Sequence, residues 1–275
     1  MKIFILVGFI TAQVFCLNVF DAVGAVTTAT GGSGRGAVEP VDGVLLNPAI
    51  ISDLPMKNFS VNYSLDQQAI SISDNGKDAY FPAAFVFQRL TTDTIDTKQL
   101  GISVATYRWH RLVVGANFSV IDYLDHTVPG FEHVYHQPAA DLGSSLAVTD
   151  NFGMGLVFNK IASNKVDLAE NLQTQKTTAL GISYIFQGFA RFRFDVESAP
   201  ENKTDRLVYM AGMENFINDW IVIRTGYQNN NVLNKNFISA GVGFAGPQFG
   251  LHYAYISNPA DKTEDKHLID LGIPF

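Results

Sequence analysis

The sequence predicts an all-β fold: a transmembrane, up-and-down antiparallel β-barrel of about fourteen strands, with twelve as the alternative count and a short N-terminal hatch or plug segment. Three observations carry this reading. First, from Asn58 onward apolar residues alternate with small or polar ones, which is a strand's period and not a helix's. Second, the connections alternate in length: short at Trp109–His110, Asp150–Asn151, Gln187–Gly188, Phe216–Asn218 and Ala245–Gly246, and long and polar at Thr91–Gln99, Leu124–Ala140, Ile161–Lys176, Ser198–Arg206, Asn229–Asn234 and Ser257–Lys266. A membrane barrel has short periplasmic turns and long outer loops, and counting back from a periplasmic C-terminus puts every long connection outside. A soluble sandwich with Greek-key crossings has no reason to keep that parity. Third, charged residues make up 16% against 47% hydrophobic, with 21 Phe and 23 Gly; ordinary globular domains carry about 25% charged.

The elements follow in order. Lys2 precedes a nearly continuous apolar run from Ile3 to Phe20, and small residues at Val23 and Ala25 permit cleavage after Ala25, so 1–25 reads as an export leader. A retained anchor is the competing reading, but no stop-transfer charges follow it. Cys16 is the only cysteine and lies in this run, and the preceding Gln13, Val14 and Phe15 do not form a lipoprotein cleavage site. The mature chain then has no thiol, which excludes disulfides, a cysteine nucleophile and thiolate metal sites.

Residues 26–57 form a Gly-rich lead and a segment broken by Pro40 and Pro48, where a turn of helix between two corners is expected rather than a strand. The barrel is assigned to 58–275. Its segments are Phe59–Leu65, Gln68–Ser73, Tyr80–Leu90, Leu100–Tyr107, Leu112–Tyr123, Leu142–Thr149, Phe152–Lys160, Thr177–Phe186, Phe189–Glu197, Leu207–Glu214, Trp220–Gln228, Lys235–Phe244, Gln248–Ile256 and His267–Phe275. The last sets Ile269, Leu271, Ile273 and Phe275 against Asp270, Gly272 and Pro274. A barrel needs a final strand that pairs with the first; a closing strand of a soluble β domain is the alternative for this stretch alone. The ending resembles the C-terminal signature of bacterial outer-membrane barrels, which implies the barrel-assembly machinery as a partner during biogenesis.

The small face holds Gly115, Gly143, Gly153, Gly155, Gly181, Gly241, Gly243, Gly250 and Gly272. Solvated faces of soluble sheets use Lys, Glu and Thr, because Gly leaves a strand bare. The Gly face is therefore expected inside, where it allows tight curvature or room for a plug, and the Phe-rich face toward outer-membrane lipid. The polar candidates for the lumen are Asn117, Arg191, Arg193, Asp195, Glu197, Glu214, Arg224, His252 and Asp270, with the charges expected to pair across the lumen. They read either as filling that stiffens a narrow interior or as a constriction selecting a solute.

Gly34, Arg35, Gly36, Glu39 and the run Leu46-Asn47-Pro48-Ala49 resemble the N-terminal segment of FadL-like (OmpP1-type) outer-membrane transporters, which folds into the barrel as a hatch. A linker before the first strand is the alternative reading of these residues. The resemblance implies passage of hydrophobic small molecules across the outer membrane of a Gram-negative bacterium. A weaker resemblance is to small porin-like outer-membrane proteins of predatory bacteria, which assemble into rings; it implies self-association into a homo-oligomer that organises lipid or a partner complex.

Catalytic chemistry has little support. The histidines are His110, His126, His133, His136, His252 and His267. The spacing of His133 and His136 is ligand-like, but on a loop that signal is weak. No Ser-centred motif, phosphate loop or zinc signature occurs, so neither an enzyme, nor a cofactor, nor a metal is expected. The net charge of −7 argues against nucleic acid as a partner.

Overall fold

The computed structural model describes residues 24–36, 43–54, 57–76, 79–92, 95–128, 131–163, 167, 174–199 and 207–275, with backbone alone at 127, 128 and 131–133. The leader up to residue 23, with Cys16, lies outside the described residues, as does Glu39. Fourteen strands follow one another: β1 (Lys57–Tyr63), β2 (Gln67–Asp74), β3 (Ala83–Thr91), β4 (Ile95–Ala105), β5 (Leu112–Val128), β6 (Phe131–Ala147), β7 (Phe152–Ser163), β8 (Thr177–Phe186), β9 (Ala190–Ser198), β10 (Leu207–Phe216), β11 (Ile221–Asn230), β12 (Lys235–Ala245), β13 (Gly250–Asn258) and β14 (Asp261–Pro274). Each pairs antiparallel with its neighbours in sequence, and β14 closes on β1.

The seam between the chain's ends is fully laddered. Pairs run from Asn58–Pro274 to Tyr63–Ile269, and the Phe275 N–H donates to the Lys57 carbonyl at 3.1 Å. At the outer end of the seam, Lys266 of β14 pairs with Asp66 in the β1–β2 turn. Partial burial opposes ionisation of Asp66, but the Lys266 ammonium and the Ser64 hydroxyl hold its carboxyl below the ordinary range. Closure leaves no unpaired strand edge, which is the condition for placing a sheet in hydrocarbon.

The two faces divide as the alternation requires. Phe85, Leu100, Ile102, Phe118, Leu180, Phe192, Phe194, Ile223, Val242, Leu251 and Ile269 are exposed on the outer wall. Around the end carrying the short turns stand Trp109, Phe186, Phe189, Trp220, Phe244 and Phe249, several in ring-to-ring contact. Such a girdle suits rings with an apolar body at a membrane interface. Two of the short turns use the left-handed region, at His110 (φ 52) and at Gln187 and Gly188 (φ 50 and φ 76).

Three of the long polar connections are corrected. β4 already starts at Ile95, β5 and β6 are each 17 residues long, and β13 and β14 meet across residues 259–260. The loss of apolar residues there marks where the sheet leaves the apolar layer, not where the backbone ladder ends. Asp122 and His136 stand opposite each other on β5 and β6 and pair at 2.6 Å, the work an apolar pair does lower down. The His126–His136 stretch is therefore strand through most of its length. In the other direction, Tyr80–Pro82 falls outside β3, where Pro82 has no N–H to give the ladder.

A lysine on the outer wall tests the assignment of faces. Phe194→Lys, near the middle of β9, is expected to cost about 2–4 kcal/mol in lipid, and Phe186→Lys at the aromatic girdle about 0–1 kcal/mol. Reversible denaturant unfolding in vesicles measures both; equal, negligible losses would mean that this wall faces water.

Candidate functional site

The interior of the barrel is occupied by the chain's own N-terminal segment. α1 (Ala25–Ala29) lies against the inner faces of β11 to β14. Gly31 (φ 69) and Gly32 (φ 88) turn the chain back at its end, in a region open to glycine without strain. Residues 33–36 cross to β8–β10, and a 3-10 helix (Pro48–Asp53) rests on β4–β6 with α2 (Gly43–Leu46) packed against it. Asn47 is the local organiser. Its side-chain oxygen accepts the Ala49 N–H at 3.1 Å as an N-cap, and Pro48 occupies the position where a missing N–H does no harm. Its amide donates to the carbonyls of Arg35 and Ser144, both at 3.0 Å, so one side chain ties two plug segments and the wall together. Val44, Ile50, Ile51 and Leu54 then pack with Ala84, Val86, Ala105 and Val113 of the wall.

The glycine face is a cast of this plug. A Cβ placed on Gly155 would lie 1.9 Å from the Arg35 carbonyl oxygen, on Gly226 2.1 Å from the Gly31 nitrogen, on Gly143 2.2 Å from Asn47 Oδ1, and on Gly115 2.5 Å from the Ala49 nitrogen. No side chain fits there, because plug atoms, mostly backbone, already occupy the space. Hydroxyls complete the contact: Ser183 donates to the Gly36 carbonyl at 2.8 Å, while Ser239 accepts the Gly31 N–H and donates to the Ala29 carbonyl.

Charges surround the polar half of the plug. Arg35 pairs with Asp195 at 3.2 Å and with Glu197 at 2.5 Å, and Asp195 also accepts the backbone N–H groups of Gly34 and Arg35. Glu214, 1% exposed at its side chain, accepts from Arg193 (2.6 Å), Arg224 (2.9 Å) and Arg191 (3.2 Å). Arg224 also reaches His252 Nδ1 at 3.2 Å, and Arg191 covers the Phe216 ring. Asp270 accepts the N–H groups of Ala25 and Val26. The charges thus pair with neighbouring strands and with the plug rather than across the lumen, because the plug fills the space a cross-lumen pair would span.

Asn117 stands apart from this cluster. It accepts from Ser103 and donates to Asp141 at 2.7 Å, on the other side of the barrel. Sequence reasoning missed the companions of Asn117. Lys160 has a positive φ of 54, and β6 and β7 lose register beside it. That bulge turns Lys160 inward next to Asn159. Its ammonium then stands 3.7 Å from Asp141. Strict alternation cannot reveal a side chain whose parity a bulge has shifted. Leu45, Leu46, Gln99, Asn117, Asp141 and Lys160 line a cavity of about 30 Å³ on the outer side of α2. It has room for a few water molecules. Among the described residues no group of three or more His, Cys, Asp or Glu could hold a metal. His136 is taken by Asp122, and the His133 side chain lies outside the described residues.

Two substitutions separate wall from plug. Glu214→Gln leaves its guanidinium partners without this carboxylate and is expected to cost about 3–5 kcal/mol in unfolding, against about 1 kcal/mol or less for Arg191→Gln at the edge of the cluster. Gly155→Val sets a side chain against the Arg35 carbonyl. It should keep the barrel's heat-modifiable migration on gels yet open residues 30–36 to protease; full protease resistance would show that the wall, not the plug, gives way.

No protein-family model and no curated protein matches the sequence. Solved structures do match in fold. The toluene transporter TbuX of Ralstonia pickettii is 14% identical, with a TM-score of 0.63 over 92% of this chain and 98% of that one. The toluene transporter TodX of P. putida is 12% identical, with a TM-score of 0.66 over 92% and 98%. A Pseudomonas aeruginosa FadL homologue is 12% identical, with a TM-score of 0.62 over 93% and 99%. At such identities the likeness concerns architecture. The chain has the barrel fold of the FadL-like channels.

Proposed function

We propose that the protein is an outer-membrane channel for small or hydrophobic solutes in a Gram-negative bacterium, closed by its N-terminal plug and opened by movement of that plug. The observation that carries this reading is the two-part seating of the plug. Residues 25–36 are held by buried ion pairs and hydrogen bonds, whereas α2 and the 3-10 helix are held largely by aliphatic contacts. An apolar solute arriving from the long-hairpin end meets first the buried cluster of Ile95, Ile121 and Tyr123, and then the small cavity with Leu45 and Leu46. It can replace aliphatic contacts at little cost, because burying its own surface returns what Val44, Leu46 and Ile50 lose. It cannot replace a guanidinium on a buried carboxylate. The same architecture in transporters of toluene supports an apolar cargo.

A second reading has one observation in its favour. The cavity that the described residues form beside α2 measures about 30 Å³. Pockets that hold a small-molecule ligand start at roughly 300 Å³. A barrel filled in this way can act through its apolar wall, as a homo-oligomer that organises outer-membrane lipid or a partner complex.

Uptake of radiolabelled toluene into vesicles bearing the protein separates the readings. The channel reading expects entry well above that of protein-free vesicles, low ion conductance in a planar bilayer, and slower entry for Leu46→Trp, which fills the cavity. Entry no faster than through lipid alone, with an assembly of several copies in mild detergent, would replace it with the structural reading.

A further inference from the structure

Asp270 is 0% exposed, and so are Ala25 and Val26, whose N–H groups it accepts. α1 is five residues long and buried throughout, packed with Ala254 and Leu268 of the wall. A buried carboxylate aimed at two backbone nitrogens binds a cation at that place more strongly than it binds neutral amides. The titratable neighbour on the adjacent strand, His252, stands opposite Asp270 in register but turns its Nδ1 to Arg224. The sequence reading places leader cleavage after Ala25, and Ala22 and Gly24 offer the bond one residue earlier by the same small-residue rule. Cutting either bond converts an amide that Asp270 already contacts into an α-ammonium: Ala25 N at 2.5 Å or Val26 N at 3.3 Å from Oδ2.

We infer that Asp270 is the receptor for the chain's own processed N-terminus: leader removal creates the cation that pairs with it, and this pair seats the plug. Hydrolysis of one peptide bond adds water, releases the leader's carboxylate and leaves the new amine, which is protonated at neutral pH. The unprocessed chain lacks that charge at this position. Asp270 is a positioning residue in this scheme, coupling export processing to closure of the lumen. The inference stands apart from any solute, since it concerns only how the plug is held.

The mature chain is expected to carry no thiol, so one introduced cysteine reports plug seating. Thr27→Cys, at a position 0% exposed, should resist maleimide in the natively exported protein, whose first residue by mass spectrometry should be Ala25 or Val26. An extra Gly-Ser inserted directly after the scissile bond that mass spectrometry identifies replaces the ammonium at this site with a neutral amide, and Asp270→Asn removes the charge from the other side. Both should label about tenfold faster or more while keeping heat-modifiable barrel migration. Where Asp270→Asn fails to form a barrel, the Gly-Ser chain decides. A mature start elsewhere, or labelling of the Gly-Ser chain as slow as that of the native protein, would overturn the inference.

Discussion

Inside hydrocarbon an amide or carbonyl without a partner costs several kcal/mol, so a sheet that enters a membrane must close. Much else in this structure follows from that. Closure requires β14 to find β1, so the last residues of the chain are a strand whose ladder runs out to Phe275 itself. Closure also turns one face of every strand inward. That face must then be filled with side chains, water or another piece of protein. Here the filling is the chain's own N-terminal segment, and the inner wall has lost its side chains where that segment passes closest, at Gly115, Gly143, Gly155 and Gly226.

The barrel was legible in the sequence because its two constraints are both periodic. Alternation comes from the pleat, and the alternating lengths of the connections come from the membrane having two sides. The strand ends were less legible. Polar residues on β5 and β6 mark the point where the wall leaves its apolar surroundings, but a backbone ladder continues into water once Asp122 can face His136. The glycine face was legible as small, though not as the impression of a particular backbone. Gly155 excludes a side chain because of Arg35, 120 residues earlier, and no local pattern carries such a relation. Lys160 was hidden for a different reason, since its positive φ reverses the parity on which every assignment of faces rests.

The charged residues divide into two sets with different consequences. Glu214 and its arginines all belong to β9, β10 and β11, so that cluster survives any movement of the plug and stiffens the wall. Asp195, Glu197 and Asp270 instead grip the plug itself. Lifting the whole plug would uncover these carboxylates together. A neutral hydrocarbon offers them nothing in exchange, whereas water and counterions would. Complete withdrawal therefore describes a water-filled pore.

Passage of an apolar solute needs the opposite economy of movement. In the proposed channel the polar half of the plug remains on its carboxylates, and the part held by Val44, Ile50 and Ile51 yields. Asn47 sits at the border, with one amide bond to Arg35 in the fixed half and one to Ser144 in the wall. A displacement of α2 that keeps the Arg35 bond has to give up the one to Ser144. The side chain then swings with the plug as a hinge rather than a latch. The small cavity lies beside this point, between Leu46 and Asp141, which is where such a movement has room to begin.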